Sequence, residues 1–150
     1  MGTAEALLQS DDLTLDDLLF QEEQDVFAVT AYANERPPGG MAGRLDWRFQ
    51  GSLSNALRSG AITGKEGEIT YLPCYRSAQK KTFHLFVIGQ GASDNFGVRK
   101  PVSAEALSKL QKNLISLKIP RLGLSRSDWA LTSDEGLARQ LKGVPLWIIP

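Results

Sequence analysis

The chain has 150 residues, of which 42% are hydrophobic and 23% charged, enough for one domain with a core of its own. Its 17 basic and 17 acidic residues cancel, which argues against a dedicated polyanion binder; yet residues 1–25 hold eight acids and no base, the first base being Arg36, so residues 1–25 carry −8 and residues 26–150 carry +8. A single cysteine, Cys74, excludes an internal disulfide, and a single histidine, His84, leaves too few soft ligands for zinc, so neither a metal nor a cofactor is expected.

In chain order, residues 1–24 form an acidic, leucine-containing lead. Leu15, Leu18, Leu19 and Phe20 fall on a short helix that Thr14 caps, with Asp16 and Asp17 well placed in its first turn. Two readings stay open for this lead: its leucines cover a patch of their own domain, or they dock on a partner or on the basic body. Residues 25–150 are read as the domain proper. Val26 to Tyr32 is a buried strand, and Asn34-Glu-Arg-Pro-Pro-Gly-Gly40 is the strongest loop signal in the chain.

A helix is expected from Met41 to Ser59, since Ala42, Leu45, Phe49, Leu53, Ala56 and Leu57 recur at helical spacing; Gly51 weakens it and Gly60 ends it. After a turn, Glu68 to Cys74 has strand composition, and Pro73 confines it to an edge or an end. Thr82 to Ile88 is the most apolar strand and stops at Gly89-Gln-Gly91. Ser103 opens a helix with a stripe of Leu107, Leu110, Leu114 and Leu117, ended by Pro120. A short strand at Arg121 to Ser125, a helix started by Ser133, and a last strand at Val144 to Ile149 complete the chain. This alternation predicts an α/β sandwich around a substantially parallel sheet buried on both faces.

Two glycine loops are candidate ligand sites. Asn34 to Gly43 joins a strand to a helix, a position that presents amides to a phosphate, with Gly39 and Gly40 allowing close approach. Glycine also serves such turns for steric reasons alone, and the two prolines donate no hydrogen bond. The second loop, Gly89 and Gly91 followed by Asn95, lacks the third glycine and the acid of a dinucleotide site. His84 alternates with Phe83 and Leu85 and reads as a packed histidine rather than a base. Cys74 has no partner base but His84, and Ser52, Ser54 and Ser93 stand outside any Gly-x-Ser-x-Gly context, so no catalytic residue is assigned. The arginines and lysines never run beyond two in a row, which reads as a solvated face rather than a nucleic-acid surface.

Between Met41 and Gly91, the segments Ala42-Gly-Arg-Leu-Asp46, Gly51-Ser-Leu-Ser54, Ile62-Thr-Gly-Lys-Glu-Gly-Glu68 and Val87-Ile-Gly-Gln-Gly91 resemble, in order and spacing, the amino-terminal domain of leucyl aminopeptidases. The resemblance covers most of residues 25–118. It implies a three-layer, macro-domain-like sandwich with a mixed, largely parallel sheet. It also implies that the family's peptidase chemistry, which lies in a separate two-metal domain with an Asn-Thr-Asp-Ala-Glu-Gly-Arg-Leu signature, has no counterpart in these 150 residues. The chain is thus expected to be a stand-alone, cytoplasmic, non-catalytic interaction or regulatory domain. The alternative is a module that holds a nucleotide or ADP-ribose-type ligand at Asn34, Gly39, Gly40, Gly43, Gly89, Gly91 and Asn95. A protein partner or self-association is expected, nucleic acid is not, and no apolar run approaches the ~20 residues of a membrane span.

Overall fold

The computed structural model describes residues 8–10, 14–22, 24–93, 99–130 and 133–150, and residues 8–10 by their backbone alone. Among the described residues, six strands and five helices follow one another as β1 (Leu8–Ser10), α1 (Leu15–Leu19), β2 (Val26–Ala31), α2 (Gly40–Arg48), α3 (Ser52–Ser59), β3 (Ile69–Arg76), β4 (Lys81–Gly89), α4 (Ala104–Ser116), β5 (Leu122–Ser125), α5 (Asp134–Gln140) and β6 (Leu146–Ile149). The strands form one sheet in the order β1-β6-β5-β2-β4-β3. Every neighbouring pair is parallel except β3 with β4.

Alternation along the central strands divides the core in two. Phe27, Val29 and Ala31 of β2 face α2 and α3 together with Phe83, Leu85 and Val87 of β4. Val26 and Ala28 face the opposite layer, where Leu107, Leu110 and Leu114 of α4 pack with Trp129 and Leu137. With helices on both faces the expected three-layer arrangement is present. Pro73 lies on the edge strand opposite His84, whose N–H donates to Asp25 O on the β2 side at 2.7 Å. The missing N–H of Pro73 therefore faces the outer edge, where it interrupts the row of donors another strand would need.

Three expectations are corrected. Of the two readings of the lead, docking on a partner is corrected and cover of its own domain holds: Leu15, Leu18 and Leu19 are buried in the chain's own core, and β1 extends the sheet beside β6. Their i, i+3, i+4 spacing puts all three on one face of α1, which a Thr14–Asp17 capping box starts. These leucines are thus closed to a partner, and only Phe20 is exposed, under the Arg76 guanidinium at 5.6 Å. The acidic lead is also sewn to the basic body. Arg48 pairs both carboxylate oxygens of Asp16, at 2.6 and 3.0 Å. Lys81 Nζ donates to the carbonyls of Gln21 and Gln24.

The predicted Met41–Ser59 helix is two helices. Gln50 and Gly51 both adopt the left-handed conformation, at φ 57° and 81°, which stops α2. Asp46 then caps α3, its carboxylate accepting from Ser54 N and Oγ. Finally, the leucine stripe of α4 ends at Leu114. Leu117 lies beyond the last turn and is exposed, because the chain reverses at Lys118 before covering the outer sheet.

Candidate functional site

The carboxyl ends of β2 and β5 lie side by side, and the loops that leave them meet over the start of α2. Open α/β sheets bind ligands at this end of the strands. The first loop, from Tyr32 to Gly39, supplies Glu35 and Gly39, and Gly40 opens α2. The second, after Ser125, supplies Asp128. Between them lies a cleft of about 690 Å³, lined by Pro37, Gly39, Gly40, Arg99, Ser127 and Asp128 among others.

Two of the amides at the start of α2 already have side-chain acceptors. Gly39 N donates to Glu35 Oε1 at 2.9 Å, and Met41 N donates to Asp128 Oδ1 at 3.0 Å. Asp128 Oδ2 takes two further bonds, from Thr30 N at 3.2 Å and Thr30 Oγ1 at 2.9 Å. The side chain of Asp128 is fully buried. Burial pushes its carboxyl above the usual carboxylate range, against the pull of the Met41 and Thr30 donors and of Arg99.

Arg99 closes the cluster. Its Nη1 donates to Glu35 Oε1 at 2.9 Å, its Nε lies 4.0 Å from Asp128 Oδ1, and its guanidinium stacks over the Tyr32 ring at 5.1 Å. A Cβ at Gly39 would come within 2.4 Å of Arg99, and one at Gly40, whose φ is +58°, within 2.1 Å of Asp128. Gly40 is thus required by the buried Asp128 and by its own backbone, whereas a side chain at Gly39 would displace the end of Arg99. Gly43 is required by a different contact, since its Cβ would sit 2.3 Å from Pro38 O.

The second glycine loop reaches the first, as its position in the sheet predicts. Asn34 and Ser93 exchange two hydrogen bonds, Nδ2 to Ser93 O and Ser93 N to Oδ1, and Ala33 N donates to Gly91 O. Gly89 packs against the backbone of the 63–68 turn, where a Cβ would approach Lys65 O within 1.9 Å. Glu68 braces that turn by accepting from Thr63 N, Thr63 Oγ1 and Gly64 N. Gly89 and Gly91 therefore hold backbone against backbone. Asn95 lies outside the described residues.

Sequence reasoning placed the loop but missed its occupants. Asp128 follows a short strand far along the chain, and only the pairing of β2 with β5 brings it to Met41. Arg99 is half of the basic doublet Arg99-Lys100, which locally carries no sign of a site. Among the remaining candidates, Cys74 is buried, and desolvation pushes its thiol up to about 11, which removes it as a nucleophile. His84 is half-buried and hydrogen-bonded to Tyr71. Among the described residues no group of three or more His, Cys, Asp or Glu could hold a metal ion, and no helix is long and apolar enough to cross a membrane.

A second feature of this side of the molecule is Trp47, which is 80% exposed near the end of α2. It stands between a groove of about 740 Å³ that runs from Pro37 and Pro38 along α2, and one of about 410 Å³ that ends at Tyr75 and Arg76. Arg48 approaches its ring at 5.7 Å.

No family model and no curated protein matches the chain in sequence. Solved structures do match its fold. The macrodomain of Thermus aquaticus DarG superposes with a TM-score of 0.62 at 14% identity, covering 95% of this chain and 97% of that one. A tomato leucine aminopeptidase superposes with a TM-score of 0.60 at 14% identity, covering 95% of this chain but 32% of the aminopeptidase. Thermosipho africanus DarTG, solved in complex with ADP-ribose, superposes with a TM-score of 0.54 at 13% identity, covering 86% of this chain and 39% of that one. The fold is that of a macrodomain.

Proposed function

We propose that this macrodomain-fold chain is a non-catalytic interaction or regulatory module, akin to the amino-terminal domain of leucine aminopeptidases. One observation carries the reading: two of the amides that would receive a phosphate at the start of α2, Gly39 N and Met41 N, donate instead to Glu35 and Asp128. An incoming diphosphate meets two carboxylates against one guanidinium, and it must displace bonds that are already made. The face offered to a partner is the one around Trp47. Trp, Tyr and Arg are the residue types that most often anchor protein interfaces, and Trp47, Tyr75, Arg48 and Arg76 supply all three.

The alternative is a module for an ADP-ribose-type ligand. It is favoured by the cleft at the carboxyl ends of β2 and β5 and by the bound ADP-ribose of the Thermosipho africanus neighbour. Calorimetric titration separates the two. The first reading expects a flat titration with millimolar ADP-ribose, and no turnover of an aminoacyl arylamide with added manganese or zinc. Saturable ADP-ribose binding that is lost in Gly40→Glu establishes the alternative in its place.

A further inference from the structure

The sole imidazole of the chain does not belong to the cluster described above. His84 lies on the opposite face of the sheet, where α4 stops short. Because Leu114 is the last buried residue of the helix stripe, the outer ends of β3 and β4 remain uncovered, and a cleft of about 650 Å³ opens there. Such a volume suits a small ligand. Phe86, Leu117 and Ile119 form its apolar walls, while Tyr71, His84, Asn113 and Ser116 supply its polar groups.

Tyr71 and His84 act as a unit. The phenol oxygen and Nδ1 are 2.6 Å apart, and the rings stack with an interplanar angle of 13°. Either atom of this bond is the donor, according to the imidazole tautomer. If Tyr71 donates, Nε2 carries a proton and the phenol oxygen keeps a free lone pair. If Nδ1 donates, Nε2 is the acceptor and the phenol proton is free. In both cases the dyad keeps one donor and one acceptor beyond its own bond. The side-chain amide of Asn113 offers the same pair. None of the lining residues is Asp, Glu, Lys or Arg, so no fixed charge awaits a charged ligand.

We infer that this cleft is a binding site for an uncharged, planar aromatic molecule bearing an amide-type donor–acceptor edge, with the Tyr71–His84 dyad reading that edge and Leu117 and Ile119 packing the ring above the buried Phe86. The site lies apart from the β2–β5 cleft and is independent of the function proposed there.

The single histidine gives a clean test, because its imidazole nitrogens produce one set of NMR signals. Benzamide at millimolar concentration shifts the His84 Nε2 and Tyr71 ring resonances saturably. Benzoate and benzylamine, which keep the ring but carry opposite charges, bind at least several-fold more weakly. Tyr71→Phe keeps the ring and removes the hydroxyl, so it weakens benzamide several-fold; Tyr71 is half exposed, and an otherwise unchanged spectrum certifies the fold. The inference is overturned by any one of three results: no saturable shift with benzamide, binding of benzoate or benzylamine as tight as benzamide, or full benzamide affinity in Tyr71→Phe.

Discussion

Replacing Asp128 by Asn tests whether the carboxylate joins the two loops, because it changes the group and not its size. Both oxygens are used: Oδ1 faces Met41 N, and Oδ2 faces Thr30 N and Oγ1. An amide keeps one acceptor and turns an NH₂ toward donors on the other side, so at least one buried N–H loses its partner. Leaving one buried donor unsatisfied costs about 1–3 kcal/mol. For a chain of this size each kcal/mol lowers the melting temperature by about 2–4 °C. Urea and thermal unfolding at neutral pH, followed by circular dichroism, should register that loss.

The pH dependence of the loss has a definite sign. The carboxyl of Asp128 titrates above its ordinary 3.8 in the folded chain, because burial disfavours its charge. Between 3.8 and that raised value the folded state binds more protons than the unfolded, so the contribution of Asp128 falls as pH rises through the window. Asn does not titrate. The gap in stability between wild type and Asp128→Asn is therefore larger on the acid side of the window than at neutral pH. An Asp128→Asn chain as stable as wild type, or a gap that widens with rising pH, would refute this account of the cluster.

Two further outcomes follow from burial. Leu18→Ala removes a fully buried side chain of α1 and should cost about 2–5 kcal/mol in denaturant unfolding, whereas a surface docking residue would cost almost nothing. Cys74, with its thiol pushed up to about 11, should resist a thiol-directed reagent at pH 8 in the native chain and react promptly once the chain is unfolded in guanidinium; rapid native labelling would contradict its placement in the core.

The strands from β2 onward were legible in the sequence as short, largely apolar runs, and their alternation with helices was enough to predict the layered sheet; β1, Leu8–Ser10, carries no such run and was not expected. Pro73 marked its strand as an edge, and the 3.6-residue leucine spacing marked α4. The break at Gln50 and Gly51 was only half legible: the glycine showed where the helix was weak, but the second helix depends on Asp46 reaching forward to Ser54. The lead illustrates a sharper limit. Its charge and its leucines were plain, but whether those leucines faced a partner or their own core depended on room in the core cluster that also holds Phe83 and Trp147, which no local pattern displays.

The same division holds for the candidate site. Composition and spacing by themselves determined that this is an α/β domain with a glycine loop between a strand and a helix, because backbone preference and hydrophobic period are local properties. Only the tertiary structure decided what occupies that loop. Asp128 is 87 residues from Met41 and Arg99 is 64 from Glu35, so their contacts exist because parallel strands bring distant loops to one end of the sheet. The net charge of zero follows the same rule: the sequence separated it into −8 and +8, and the fold brought the two blocks together through Asp16 on Arg48 and Lys81 on the lead's carbonyls.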